Sequence, residues 1–157
     1  MAEVARGNKL FQLRIEKARN LAWCKFGASN PYVKVFLKNI FSQKWCGMRD
    51  TPIRRQVGKT RTIKQNLNPI WAEQFTLSVD PSYKAVLMEV WDENRLIPDD
   101  FLGQVVLRIE DFVSSEGARR RPCVLDLRGR SEASAVSGSL HVQLWEEGQV
   151  RLGPAAL

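Results

Sequence analysis

The stretch with the clearest chemical potential runs from Glu89 to Gly103. It reads Glu-Val-Trp-Asp-Glu-Asn-Arg-Leu-Ile-Pro-Asp-Asp-Phe-Leu-Gly. Two apolar runs flank an acidic polar loop, so Asp92 and Asp100 are brought back towards each other, with Asn94 and Asp99 between them. Oxygen donors gathered on a loop without His or Cys suit a hard cation such as calcium, which takes six to eight oxygens. A second chemistry is written in the charge. Between Pro31 and Leu67 stand nine basic residues and one acid, Asp50, in a chain whose net charge is +7. A basic block on a near-neutral body is an electrostatic footprint for a polyanion, or a solvated basic loop.

Other chemistries fit poorly. The single histidine, His141, lies inside a strand-like pattern, and no Ser/His/Asp, Cys/His or Gly-rich phosphate-loop arrangement is readable. The chain is therefore read as a non-enzyme. Cys24, Cys46 and Cys123 are odd in number and widely spaced, with no zinc pattern, which suits reduced thiols in a cytosolic protein. No apolar run approaches the ~20 residues that span a bilayer, and the N-terminus has no signal-like apolar region.

The elements that must position these residues are strands. In the first, Phe11, Leu13 and Ile15 alternate with Gln12, Arg14 and Glu16. Tyr32 to Leu37, Lys59 to Lys64, Trp71 to Val79, Ala85 to Trp91, Gly103 to Arg108, Cys123 to Leu127 and Ser139 to Trp145 make eight. A helical turn is expected at Ile109 to Val113, and a long loop over Lys38 to Gln56. Eight short strands with turn signals between them predict an all-β, eight-stranded antiparallel β-sandwich. The expected organisation is a flexible N-terminus (1–8), one domain (9–147) and a flexible tail (148–157).

Four ordered motifs carry a resemblance. They are Phe26-Gly27-Ala28-Ser29-Asn30-Pro31-Tyr32-Val33-Lys34-Val35, Lys59 to Lys64, Leu67-Asn68-Pro69-Ile70-Trp71 through Phe75, and Val90-Trp91-Asp92-Glu93-Asn94 with Asp99-Asp100-Phe101-Leu102-Gly103. Together they resemble a C2 domain over about Lys9 to Glu147, with the third loop most similar to the N-terminal C2 domains of HECT-type, WW-repeat ubiquitin ligases. The strand order resembles the type II circular variant of that fold. The catalytic HECT segment is not in this chain.

The resemblance implies two sites. The family's calcium site uses about five carboxylate positions on two loops. Here only Asp92 and Asp100 match, while Asn94, Asn30 and Lys25 stand at the other three. Losing three charges and gaining a lysine predicts a degenerate calcium site without useful affinity, and hence no cofactor. Asp92 and Asp100 are then expected to order the loop through Asx-type bonds, or to pair with Lys25 or Arg95. The second site is a concave basic strand face that binds phosphoinositide headgroups. Lys34, Lys59 and Arg61 match its basic positions, Tyr32 and Trp91 its flanking aromatics, and Phe36 replaces a usual lysine. Lys59 and Arg61 are expected on one face of the strand beside Lys34. Trp23 and Ile97 are the expected membrane-insertion loop tips, with Phe26 and Leu96 packing beneath.

The resulting expectation is a calcium-independent, peripheral membrane-targeting module, cytoplasmic and monomeric, with anionic phospholipids or phosphoinositides as partners. A protein-interaction or autoinhibitory role is the alternative. Nucleic acid is the least favoured partner, because no stacking motif accompanies the charge.

Overall fold

The computed structural model describes residues 7–23, 27–39, 53–113, 122–130 and 135–147. Cys24, Lys25 and Phe26 lie outside the described residues, as do residues 40–52 of the expected long loop, residues 1–6 and the 148–157 tail.

Eight antiparallel strands form two four-stranded sheets. In chain order they are β1 (Lys9–Arg19), β2 (Pro31–Lys38), β3 (Arg54–Lys59), β4 (Ile70–Val79), β5 (Ala85–Asp92), β6 (Asp100–Arg108), β7 (Cys123–Asp126) and β8 (Ser139–Glu146). One sheet runs β4-β1-β8-β7 and the other β3-β2-β5-β6. A 3-10 turn over Ile109–Phe112 follows β6.

The period-two pattern explains why the sheets pack face to face. Phe11, Leu13 and Ile15 of β1 and Leu140, Val142 and Leu144 of β8 point into the same core as Val33, Val35 and Leu37 of β2 and Val86, Met88 and Val90 of β5. All are buried. Because alternate residues face opposite ways, residues 32, 34 and 36 of β2 and 87, 89 and 91 of β5 must lie on the outer face of the second sheet.

One expected strand is displaced. Lys59 to Lys64 alternates like a strand, yet the ladder with β2 is made by Arg54–Lys59, which starts inside the loop expected over Lys38 to Gln56 and shares only Lys59 with the expected strand. The reason lies at Thr60. Its side chain is buried, its hydroxyl accepts the Val33 N–H at 2.9 Å and donates to the Arg61 carbonyl at 3.0 Å, and this side-chain bond replaces a ladder bond. Beyond it the chain follows the end of β2 through Ile63 N–H to the Pro31 carbonyl, outside the ladder.

A bulge between β5 and β6 also matters for the site. Val90 pairs with Gly103, but Trp91 pairs with Phe101. Gly103 has φ +144°, and a Cβ there would sit 2.8 Å from the Leu127 Cβ, so glycine is required where the bulge re-aims Phe101 and Asp100.

Candidate anion-binding face and loop end

The outer face of the β3-β2-β5-β6 sheet is built in rows by the strand register. One row is aromatic: Tyr32 lies opposite Trp91, and Trp91 opposite Phe101. The Trp91 and Phe101 rings meet edge to face with centroids 5.6 Å apart. The next row is charged: Lys59 lies opposite Lys34, Lys34 opposite Glu89, and Glu89 opposite Gln104.

The cations lean onto the aromatic row. Lys34 Nζ lies 4.7 Å from the Trp91 ring centroid and 6.0 Å from that of Tyr32, and Lys59 Nζ lies 4.4 Å over Tyr32. Ring faces attract ammonium groups, and each such contact at an accessible site is worth about 0.5–1 kcal/mol. Arg130, from the segment after β7, places its guanidinium carbon 4.9 Å over Trp91 and 4.2 Å over Phe101. Arg54 sits 4.4 Å over Phe36. Thus Phe36, standing where a lysine was looked for, serves as the platform for an arginine.

At the centre is Glu89, almost completely buried although it faces outward. Its Oε2 accepts from Arg54 Nη1 at 3.1 Å and Arg130 Nη2 at 2.9 Å, and its Oε1 accepts from Trp91 Nε1 at 3.3 Å. A buried carboxylate needs this pairing to offset its desolvation.

Among the residues picked out by resemblance, the structure brings Tyr32, Trp91, Lys34 and Lys59 together. Arg61 is a correction. It lies past the end of β3, exposed, and its backbone N–H donates to Glu73 Oε2 at 3.0 Å. It therefore does not share a strand face with Lys59. Sequence reading missed Arg54, Arg130, Phe101 and Glu89. For Glu89 a signal existed, since an acid between Leu87 and Trp91 at outward positions of a central strand demands partners. For Arg130 there was none, because it reaches the face only through tertiary structure.

The loops beside this face are held by the carboxylates themselves. Asp92 and Asp100 pair directly across β5 and β6. Asp92 is buried and its Oδ1 accepts the Asn30 N–H at 2.7 Å. The Asn30 side chain then spans three segments: Oδ1 accepts from Gln65 N–H at 2.9 Å, and Nδ2 donates to the Glu93 carbonyl at 3.3 Å. Asn94 donates its backbone N–H to Asp99 at 3.0 Å and its amide to Asp100 Oδ2 at 3.2 Å. Neutral asparagines thus bond the acids that a cation would otherwise gather. Among the described residues no group of three or more His, Cys, Asp or Glu side chains could hold a metal ion.

Tyr32 joins loop and face, because its hydroxyl donates a hydrogen bond to Asp99 Oδ2. Burial, that bond and the negative charges of Asp99, Glu93 and Glu89 raise the tyrosine pKa well above its usual value. Burial works to raise the Asp99 pKa as well, but the Tyr32 hydroxyl, the Asn94 N–H, Lys34 and Lys59 outweigh it and hold the carboxyl below its usual range. A raised tyrosine pKa contributes stability that is complete below about pH 10, the unfolded value, and is lost as pH rises towards the folded one. A lowered carboxyl pKa contributes stability present above about pH 4 and lost as pH falls through the folded value. Tyr32→Phe is expected to cost about 1.5–3 kcal/mol at neutral pH, the value of a hydrogen bond to a charged group. In urea denaturation the gap between wild type and variant should narrow above pH 10 and below pH 4; a pH-independent gap would show that the pair contributes nothing.

At the loop tips the exposure order is a second correction. Leu96, expected to pack under its loop, is 97% exposed, ahead of Trp23 at 72% and Ile97 at 47%. A bend over Arg95 to Ile97 carries Leu96 away from the sandwich. At the opposite end a cavity of about 520 Å³ is lined by Phe11, Val79, Tyr83 and Ile109, remote from this chemistry.

The C2 domain model matches residues 9–123. The chain belongs to the C2 domain family. Rat E3 ubiquitin-protein ligase NEDD4 is 36% identical over 121 residues, which is 75% of this chain and 12% of that protein. Drosophila Nedd-4 is 38% identical over 94 residues, 60% of this chain and 8% of the relative. The C2 domain thus spans only a small share of these ligases' length. Among solved structures, the C2A domain of plant Extended Synaptotagmin 1 superposes with a TM-score of 0.65 at 23% identity, covering 91% of this chain and 97% of that one. This likeness shows the shared sandwich. Among the described residues no helix is long and apolar enough to cross a membrane.

Proposed function

We propose that this C2 domain is a non-catalytic targeting module that binds anionic phospholipid headgroups at the cytoplasmic face of membranes, without needing calcium. The observation that carries the reading is the convergence of Lys34, Lys59 and Arg130 on the aromatic row of one sheet face, with Arg54 beside them over Phe36. Each basic residue near an anionic surface is worth about 1 kcal/mol. Four of them supply useful, reversible and salt-sensitive attraction. Trp23, Leu96 and Ile97 project from the loop end and offer apolar side chains to the headgroup boundary. Calcium independence is supported by Asp92, Asp99 and Asp100 accepting bonds from Asn30, Tyr32 and Asn94. In a ligase of the kind its relatives belong to, such a module would hold the catalytic part at a membrane.

Vesicle sedimentation tests this. Phosphatidylcholine vesicles, alone or with phosphatidylserine or phosphatidylinositol bisphosphate, are presented in EGTA and in calcium. Equal binding to the anionic vesicles in both buffers is expected, weakening as salt shortens the Debye length from ~8 Å at physiological ionic strength to ~3 Å at 1 M. Binding that requires calcium overturns the calcium-independent reading. Absence of binding to every vesicle overturns the lipid reading and favours a protein-docking role for the same face.

A further inference from the structure

We propose that the cavity at the end of the sandwich opposite the loop tips is a separate ligand site, and that it takes a single-chain amphiphile with an alkyl body and one carboxylate. The site lies away from the basic sheet face and does not depend on the lipid-binding reading.

Protein interiors hold few voids larger than a water molecule. Here an opening of about 520 Å³ reaches core side chains. That volume falls among small-molecule sites, which are mostly apolar with a few placed polar groups. Its walls come from both sheets. Phe11 of β1 and Val79 of β4 belong to one sheet, and Ile109 and Val113, which follow β6, continue the other. Phe11, Val79 and Ile109 are buried in the core, with Tyr83 and Val113 packed against it. The sheets of a sandwich lie about 10 Å apart, filled by the side chains between them. A gap at their ends is therefore a slot about one alkyl chain wide.

The mouth of the slot decides the charge of the ligand. Lys9, Lys84 and Arg108 line it together with Asp80 and Glu110. Both acids are engaged. Asp80 Oδ1 accepts the Ser82 N–H at 2.8 Å within the turn after β4, and Glu110 Oε1 faces Arg108 Nη1 at 3.7 Å. Lys9 is exposed and makes no ion pair among the described residues. Lys84 Nζ donates to the Pro81 carbonyl at 2.9 Å, which leaves two of its three N–H donors. Three cations against two engaged anions leave a positive rim above apolar walls. The guanidinium, whose planar fork would favour phosphate, faces Glu110, and the two ammonium groups are point charges that suit a compact monoanion. Lys9 and Phe11 are two residues apart on β1, so they project to the same side about 7 Å from each other along the strand. A carboxylate held at Lys9 and Lys84 thus leaves its chain running over Phe11 into the slot.

Titration with decanoate below its micelle-forming concentration, followed by amide chemical shifts, tests the site. Acetate supplies the charge without the chain, and decyltrimethylammonium supplies the chain with the opposite charge. Wild type is expected to bind decanoate with shifts centred on Lys9, Lys84 and Ile109, and to bind the other two at least about 10-fold more weakly, the equivalent of one hydrogen bond to a charged group. Lys9→Ala with Lys84→Ala should weaken decanoate by roughly the same factor without weakening decyltrimethylammonium. Both side chains are exposed, so the variant should melt like wild type. Val113→Trp, which fills the slot, should remove decanoate binding. Lys34→Glu with Lys59→Glu, on the distant sheet face, should leave it unchanged. Decanoate binding that survives loss of both lysines, or that the sheet-face variant abolishes, overturns the site. So does a wild type that binds no decanoate. Equal affinity for decanoate and either partial ligand overturns the assignment of an amphiphilic carboxylate.

Discussion

Charge reversal of Lys34 and Lys59 together is expected to abolish binding to anionic vesicles. Each substitution removes one positive charge from the face and adds a negative one. At about 1 kcal/mol per charge the double variant loses roughly 4 kcal/mol, close to a 1000-fold fall in the partition constant. The site geometry makes this pair the sensitive one. Lys34 and Lys59 are cross-strand neighbours, and both lean over Tyr32. The new carboxylates would face Asp99, already bonded to the Tyr32 hydroxyl. The fold should survive, since the lost ring contacts are worth about 0.5–1 kcal/mol each at accessible positions. Reversal of Arg61 alone is the internal control. It stands beyond β3, so its effect should be that of one distant charge. Sedimentation of the three proteins on the same vesicles reads the outcome. A double variant that binds like wild type would remove the basic face from the mechanism.

That Lys34, Tyr32 and Trp91 could be read from sequence follows from where they sit, whereas Lys59, on β3, was reached through the family resemblance. β2 and β5 are central strands with an inner row of buried apolar residues, and an alternating pattern fixes which side chains face out. β3 is an edge strand, and its Arg-Arg-Gln-Val-Gly-Lys carries almost no burial signal because little of it is buried. Its place is set by pairing with β2, which is a tertiary fact. Lys59 to Lys64 shows the converse. Its alternation is real, but Thr60 bonds Val33 through its hydroxyl and ends the ladder. Leu96 was misplaced for a related reason, since an apolar residue in a loop reads as core until the loop's direction is known. The loop acids were legible as a cluster, whereas their partners were not: Asn30 and Asp92 are 62 residues apart. Glu89 draws Arg54 and Arg130 from 35 and 41 residues away, and no local pattern encodes such a meeting.

Trp71→Ala should be the most damaging single core substitution at the loop end, costing about 3–5 kcal/mol. Trp71 is wholly buried and its indole N–H donates to the Pro31 carbonyl at 3.3 Å. That carbonyl also accepts the Ile63 N–H at 3.0 Å, so the ring ties β4 to the start of β2 and to the segment after β3. A domain of this size has only ~5–15 kcal/mol in hand. Its melting temperature should therefore fall by roughly 6–20 °C, at 2–4 °C per kcal/mol. Trp71→Phe separates the two contributions, because it keeps most of the apolar area and loses only the hydrogen bond, a deficit of about 1 kcal/mol. The side chains proposed to bind lipid stand on the other face of the β2 sheet, so below its melting point Trp71→Ala should still sediment with anionic vesicles. Weakened binding by a fully folded variant would mean that the core sets the aromatic row's geometry. Retained binding would assign Trp71 to holding the scaffold and leave recognition to the surface cations.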